Sequence, residues 1–400
     1  MKKLVILGRG TAGAISAARA THEIIRKKNC GECEIEWMYD PEIQTQAVGE
    51  GTTLNVADCL FQTLDFYYSD MPKIDANYKK SILKHGWGSN QKQFGHEFFP
   101  PFMSFHINAV KLQQYVFDTL KNRNYPNVKF IERNTTSDKI DADYIIDCSG
   151  TPKQFDDKFV MATDIPVNSV YVTQCYWDQP KFHHSLCIAL KHGWVFGIPL
   201  QNRCSIGYMY NNKMSTLEEV KEDVQQMFAR YDLTPSNNTN AFSFSNYYRN
   251  QTFSKNIAYN GNCSFFLEPL EATTLSYVND TAITALKFFE KSGYVSDLMV
   301  DYHNALTSKA FEETIDMISF HYFAGSTYQS KFWEFAKQKG YDRISNSLKN
   351  NRKFYKMMEK SILSDFNYSD LESSYGGWAT RSWYDNMIGL GIRDQIKQLL

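Results

Sequence analysis

Leu4-Val5-Ile6-Leu7-Gly8-Arg9-Gly10-Thr11-Ala12-Gly13 is the stretch whose reading decides the fold. Four apolar residues in a row read as a short, fully buried strand of a parallel sheet. The glycines follow at once. Ala14 to Lys28, rich in alanine, then reads as a helix, and Glu34 to Tyr39 alternates as a second strand. A Gly-x-Gly-x-x-Gly loop between a strand and a helix is the βαβ context that raises this fingerprint above chance. Gly8 permits the tight turn, Gly10 lets the backbone approach a pyrophosphate, and Gly13 lets the helix close on the strand. The N–H groups at the helix start, with the helix dipole, favour phosphates. Gly8, Gly10, Thr11, Ala12 and Gly13 are therefore expected to hold a dinucleotide.

An acidic residue at the end of the second strand usually holds the ribose, and Asp40 is the nearest candidate. Further on, Asp141-Ala142-Asp143-Tyr144-Ile145-Ile146-Asp147-Cys148-Ser149-Gly150 looks like the strand-and-glycine element by which flavoproteins with two dinucleotide folds return to the adenine side. It favours FAD over NAD and adds Gly150 to the expected contacts.

Asn108 to Asn122 forms an amphipathic helix, with Val110, Leu112, Tyr115, Val116 and Leu120 as its apolar set. Asn127 to Glu132 and Ala142 to Cys148 read as strands. From Ser169 to Tyr210 the pattern changes to strands joined by turns: Val170 to Trp177, Ser185 to Leu190, Trp194 to Ile198 and Cys204 to Tyr210. That suggests an antiparallel sheet inserted into the α/β core. Leu217 to Tyr231 is helical, and after Tyr277 the chain is mainly helical, with Thr281 to Lys291 and Phe311 to Phe323 the clearest segments. The expected fold class is α/β, an FAD-binding core of the two-dinucleotide-fold type with an inserted antiparallel sheet and a mainly helical C-terminal part. The expected division is 1–285 for the core, with the sheet at about 165–255, and 286–400 for a helical module on the substrate side.

The 400 residues are 43% hydrophobic and 15% aromatic, enough for a large core, and the formal net charge of −1 provides no field to gather nucleic acid or a membrane surface. No apolar run approaches the roughly 18 residues that span a bilayer, and a strand begins directly after Met1-Lys2-Lys3, so a soluble, cytoplasmic chain is expected. Cys30-Gly31-Glu32-Cys33 has C-x-x-C spacing with no second pair or nearby histidine to complete a zinc site. Both cysteines are expected to be reduced thiols, and the other six to be small buried hydrophobes. The nine histidines show no ligand spacing, so no metal is expected.

Several later motifs share one resemblance. Val48-Gly49-Glu50-Gly51-Thr52-Thr53 looks like a V-G-E-[GA]-T turn. Tyr78-Lys79-Lys80-Ser81-Ile82-Leu83-Lys84-His85-Gly86-Trp87 looks like a lysine segment in which a Trp follows the lysine by eight positions, which selects Lys79. Phe105-His106-Ile107-Asn108-Ala109 is similar to Y-H-F-D-A, and Trp194-Val195-Phe196-Gly197-Ile198-Pro199 to W-x-W-x-I-P with Phe196 in the second Trp position. Phe265-Phe266-Leu267-Glu268-Pro269-Leu270-Glu271-Ala272-Thr273-Thr274 is similar to a segment that commonly ends P-L-E-S-T-G. His321-Tyr322 and Phe332-Trp333 match H-Y and F-W pairs. In these motifs the chain resembles the flavin-dependent halogenases of the tryptophan-halogenase type.

The resemblance implies an enzyme that uses FAD as FADH2, O2 and a halide ion to form hypohalous acid, relayed to Lys79 and used to halogenate an electron-rich indole, phenol or pyrrole. It implies Lys79 and Glu271 as the catalytic pair, with the lysine either hydrogen-bonding the oxidant or forming a haloamine. It implies the N–H groups of Thr273 and Thr274 as the halide site. Val48, Gly49, Glu50, Gly51, Trp194, Phe196, Ile198, Pro199, Leu267 and Pro269 are implied beside the flavin. A separate flavin reductase is the implied partner, since no segment reads as a nicotinamide site. Phe196 and Thr274 keep an FAD-dependent aromatic hydroxylase as the alternative.

Overall fold

The computed structural model describes residues 1–28, 32–43, 49–89, 93–98, 102–363 and 374–400. The chain forms two compact units that interleave along the sequence. One comprises 1–79, 102–160 and 247–308, and the other 80–101, 161–246 and 309–400. The sequence reading instead divided the chain at 285. Long-range strand pairing, invisible in a linear pattern, determines which segments belong together.

The first unit is built on a five-stranded parallel sheet in the order Ile257–Tyr259, Tyr144–Asp147, Lys2–Leu7, Cys33–Tyr39 and Val128–Glu132. Lys2–Leu7 is central, which is why Leu4, Val5 and Ile6 are wholly buried. The Thr11–Ala20 helix follows, continued by a π-helical turn over Thr21–Lys27. Its alanines at 14, 17, 18 and 20 are buried, and their small side chains allow close packing. The Ala109–Arg123 helix starts at Asn108, whose side chain accepts from Lys111 N at 3.3 Å. Val110, expected in its apolar set, faces outward instead. A smaller antiparallel sheet places Ser104–Asn108 between Gly49–Gly51 and Asn77–Lys79.

In the second unit a seven-stranded sheet runs in the order Pro235–Ser243, Ser169–Tyr176, Arg203–Tyr210, Gly193–Pro199, Ser185–Leu190, Ser81–His85 and Phe94–Glu97. It is antiparallel as expected, except that Ser185–Leu190 and Ser81–His85 pair in parallel. The helices Lys331–Asn350, Arg352–Leu363, Thr380–Leu390 and Arg393–Leu399 belong to this unit. Trp87, Trp194, Tyr322 and Trp333 form a buried aromatic cluster with tilted and edge-on rings.

Cys33, expected as a reduced thiol, is disulfide-bonded, while Cys30 lies outside the described residues. Cys59, Cys148, Cys175, Cys187, Cys204 and Cys263 are buried thiols outside any disulfide. Among the described residues no helix is long and apolar enough to cross a membrane, and no cluster of acidic, cysteine or histidine side chains could hold a metal ion.

The glycines of the first turn are under unequal constraint. A Cβ on Gly13 would lie 2.0 Å from the Gly8 carbonyl oxygen, whereas one on Gly10 would meet nothing within 4 Å. Gly13→Ala should therefore destabilise the chain by about 2 kcal/mol through overpacking, and Gly10→Ala by far less. Denaturant unfolding of the two variants checks this, and equal costs would contradict it.

Candidate active site

Three loops of the first unit and one lysine make up the candidate site. At the glycine loop, Gly8 has φ +108°, and a Cβ there would lie 2.4 Å from the Cys148 carbonyl oxygen, so only glycine fits. Trp37 Nε1 donates to the Gly8 carbonyl at 2.8 Å and holds the turn against the second strand. Gly10 caps the Thr11–Ala20 helix in extended backbone, with no side-chain cap and no acidic residue in the first turn. The first N–H groups of that helix and the open space at Gly10 are what a pyrophosphate requires. Gly150, φ +101°, leaves similar open space just beyond the neighbouring strand Tyr144–Asp147. Asp40 ends the second strand, with Oδ1 accepting from Glu42 N at 2.9 Å, and the adjacent Tyr39 hydroxyl donates to Glu132 at 3.1 Å. These residues fit the dinucleotide part of FAD.

Thr11 joins this loop to the next. Its Oγ1 accepts from Gln113 Nε2 at 3.1 Å and lies 3.5 Å from Glu50 Oε1. Glu50 sits on the Gly49–Gly51 strand opposite Ile107, and its Oε2 is buried with no hydrogen-bond partner. Burial pushes its carboxyl up to about 7, against the weaker opposing effect of the Thr11 hydroxyl. Ala12 is partly buried on the helix beside Thr11. Val48, expected beside the flavin, lies outside the described residues.

Lys79 ends the Asn77–Lys79 strand, paired with Ser104. It is 1% exposed, and its Nζ donates to the Thr52 carbonyl at 2.9 Å. Burial brings its pKa down to about 8, while the Glu271 carboxylate opposes the fall. Lys79 and Glu271, distant in sequence, are therefore within electrostatic reach of each other. Lys80 is exposed. Thr52 is itself fixed: its backbone N–H donates to the Phe105 carbonyl, its hydroxyl bonds to the same carbonyl and to Ser104, and Ser104 Oγ donates to the Thr53 carbonyl. Sequence reasoning quoted Thr52 but did not identify its carbonyl as the lysine's acceptor, since any residue type offers the same group.

Leu267 and Glu271 are buried and Pro269 half-buried ahead of the Thr274–Glu290 helix. Ala272 turns the chain with φ +53°, unusual for alanine, and its N–H donates to the Pro269 carbonyl at 3.0 Å. Thr273 then caps the helix without a side-chain hydrogen bond, and no acidic residue occupies the first turn. The N–H groups of Thr273 and Thr274 thus stand at a positive helix end.

Trp194, Phe196, Ile198 and Pro199 belong to the second unit, on the Gly193–Pro199 strand. Trp194 is 1% exposed and donates to the Tyr322 hydroxyl at 3.0 Å. Phe196 lies over Gly207, where a Cβ would come 2.1 Å from its ring. Also in this unit is a feature that sequence reasoning passed over: Lys84, wholly buried, with its Nζ 2.6 Å from both His321 Nε2 and Asn386 Oδ1.

Comparison with known proteins agrees with this architecture. The profile of the tryptophan halogenase family matches residues 3–129 and 125–400. Tryptophan 7-halogenase RebH of Lentzea aerocolonigenes is 22% identical over 98% of this chain and 89% of its own length. Tryptophan 6-halogenase ThaL of Streptomyces albogriseolus is 23% identical over 63% of this chain and 49% of its own. Two solved structures superpose with TM-scores of 0.79 at 17% identity, each covering 100% of this chain and 93% of theirs. They are a tryptophan halogenase from Shewanella frigidimarina and Xcc4156, a flavin-dependent halogenase from Xanthomonas campestris. With the family profile spanning nearly every residue, the chain belongs to the tryptophan halogenase family of flavin-dependent enzymes.

Proposed function

We propose that this chain halogenates an electron-rich aromatic, an indole such as tryptophan or a related phenol or pyrrole, with Lys79 carrying the halogen. The observation that carries the reading is the buried Lys79 side chain, oriented by Thr52 and within electrostatic reach of Glu271. A random lysine is a solvated charge. One held in a dry interior with its pKa lowered is matched to nucleophilic work.

Gly8, Gly10, Thr11, Ala12, Gly13 and Gly150 would hold the dinucleotide, with Asp40 toward the ribose and Gly49, Glu50, Gly51, Leu267 and Pro269 toward the flavin. Trp194, Phe196, Ile198 and Pro199, on the Gly193–Pro199 strand, are the further cofactor-binding residues that the resemblance implies. Bound reduced FAD, supplied by a separate flavin reductase, provides with O2 the oxidising power that converts halide to hypohalous acid. The N–H groups of Thr273 and Thr274 would hold the halide, helped by the helix dipole.

The neutral Lys79 amine attacks the halogen of hypohalous acid. An N–halogen bond forms, the O–halogen bond breaks, and the amine proton leaves with hydroxide as water. The arene then takes the halogen from nitrogen, and Glu271 accepts the ring proton and returns it to the amine. Burial serves both steps, since it raises the neutral fraction of the amine and keeps the oxidant from solvent.

Lys79→Ala should cut aryl halogenation by on the order of 10²–10⁴-fold while FAD affinity stays unchanged. Product mass spectrometry with reductase, FAD, a panel of indoles and phenols, and chloride, bromide or iodide measures this. Unchanged turnover removes Lys79 from the mechanism, and oxygenated products independent of halide would instead support the hydroxylase reading.

Glu271→Gln should slow the arene step while hypohalous acid still forms, detectable by a chemical trap. Equal loss of both would place Glu271 in cofactor positioning.

With Lys79 near pKa 8, the neutral fraction grows with pH. Single-turnover halogen transfer should therefore rise roughly fivefold between pH 7 and 8 and level off above. A rate that falls over that interval would indicate an ammonium that only hydrogen-bonds the oxidant.

A further inference from the structure

Glu50 is a half-buried residue with a buried carboxyl oxygen, for which the mechanism above has no use beyond lining the cradle. Three observations define it. Its Oε2 is buried with no hydrogen-bond partner. Its Oε1 faces the Thr11 hydroxyl at 3.5 Å, and because Gln113 Nε2 donates to that hydroxyl at 3.1 Å, the Thr11 proton is left to point toward Glu50. Finally, Glu50 stands on the Gly49–Gly51 strand, two residues before Thr52, the residue whose carbonyl holds Lys79.

Among the described residues, no charged group compensates this carboxyl. From the Thr11–Ala20 helix only Thr11 acts on it. On the Ser104–Asn108 strand Ile107 lies opposite, flanked by His106, whose Nδ1 engages the Tyr78 carbonyl at 3.2 Å, and by Asn108, whose amide lies 3.4 Å from Asp75. Lys79, at the far edge of the same three-stranded sheet, is bonded to Thr52, and none of these groups shifts Glu50. Burial alone pushes it to about 7. An ionised carboxylate in such a place is costly, so the group responds to any further negative charge by taking up a proton.

We propose that Glu50 is a proton-holding residue that selects the charge state of the bound flavin: when the anionic reduced flavin binds, the Glu50 carboxylate takes one proton from solvent and becomes a neutral acid. The proposal rests on the reading of the glycine loop as an FAD cradle. The balance is simple: carboxylate, proton and reduced-flavin anion give a neutral carboxylic acid beside the bound anion, with no change in oxidation state. The oxidised flavin is neutral and has no such requirement. Glu50 thereby couples delivery of reduced flavin to pH, favouring it where the acid form prevails.

The test is anaerobic binding of oxidised and reduced FAD to the full chain and to Glu50→Gln, whose amide mimics the neutral acid at every pH. Titration of the flavin itself is common to both proteins and cancels in the ratio of their Kd values. The wild-type-to-variant ratio for reduced FAD should rise about tenfold from pH 6 to pH 8, as expected for a group of pKa about 7, while the ratio for oxidised FAD stays flat. A flat ratio for reduced FAD overturns the proposal. Failure of the wild type to bind FAD in either redox state overturns the cradle reading itself. As a check independent of the variant's folding, the infrared difference between reduced and oxidised wild-type complexes at pH 8 should gain a protonated-carboxyl band. Its absence also overturns the proposal.

Discussion

The close approach of Gly13 to Gly8 is the constraint on which the first unit depends. Helix and strand meet backbone to backbone there, at a separation that admits no side chain. This contact aims the start of the Thr11–Ala20 helix at the open space over Gly10 and sets Thr11 beside Glu50. From Glu50 the same strand leads directly to Thr52, and Thr52 holds Lys79. The glycine loop and a buried amine are thus joined through the contact of Thr11 with Glu50, the run Glu50-Gly51-Thr52 and the hydrogen bond from Lys79 to Thr52.

Both titratable groups along that path are moved toward neutrality by the same cause. Burial raises Glu50 and lowers Lys79. Carboxyl and amine respond in opposite directions because desolvation penalises whichever form is charged. The interior therefore combines an acid and an amine that each exchange a proton near neutral pH. Ordinary solvated side chains of these types titrate far from it. The Glu271 carboxylate limits the fall at Lys79.

Much of the fold was legible because its signals are local. The four-residue apolar strand, the glycine turn, the alternating second strand and the Ser185–Leu190 strand each lie within a few residues, where periodicity and backbone freedom act directly. The longest helix was legible only in part. Phe311 to Phe323 is buried and patterned, whereas the first turns of the Asp297–Ala324 helix leave Leu298 and Tyr302 exposed and so blur the period. At the candidate site, spacing singled out Lys79, but nothing in the sequence separates the surroundings of Lys79 from those of Lys84. Both are buried. One meets a backbone carbonyl in the first unit, and the other a histidine and an amide in the second.

By itself, then, the sequence determined the dinucleotide core, the family and the identity of the candidate side chains, since each depends on residue type and short-range order. Tertiary structure alone decided which segments join into each unit, that the Ser81–His85 strand runs parallel to its neighbour, and that Cys33 is oxidised. It also decided the protonation tendencies of Glu50 and Lys79. Burial and partner choice are properties of residues far apart in the chain, and a dielectric environment exists only once those residues have been packed together.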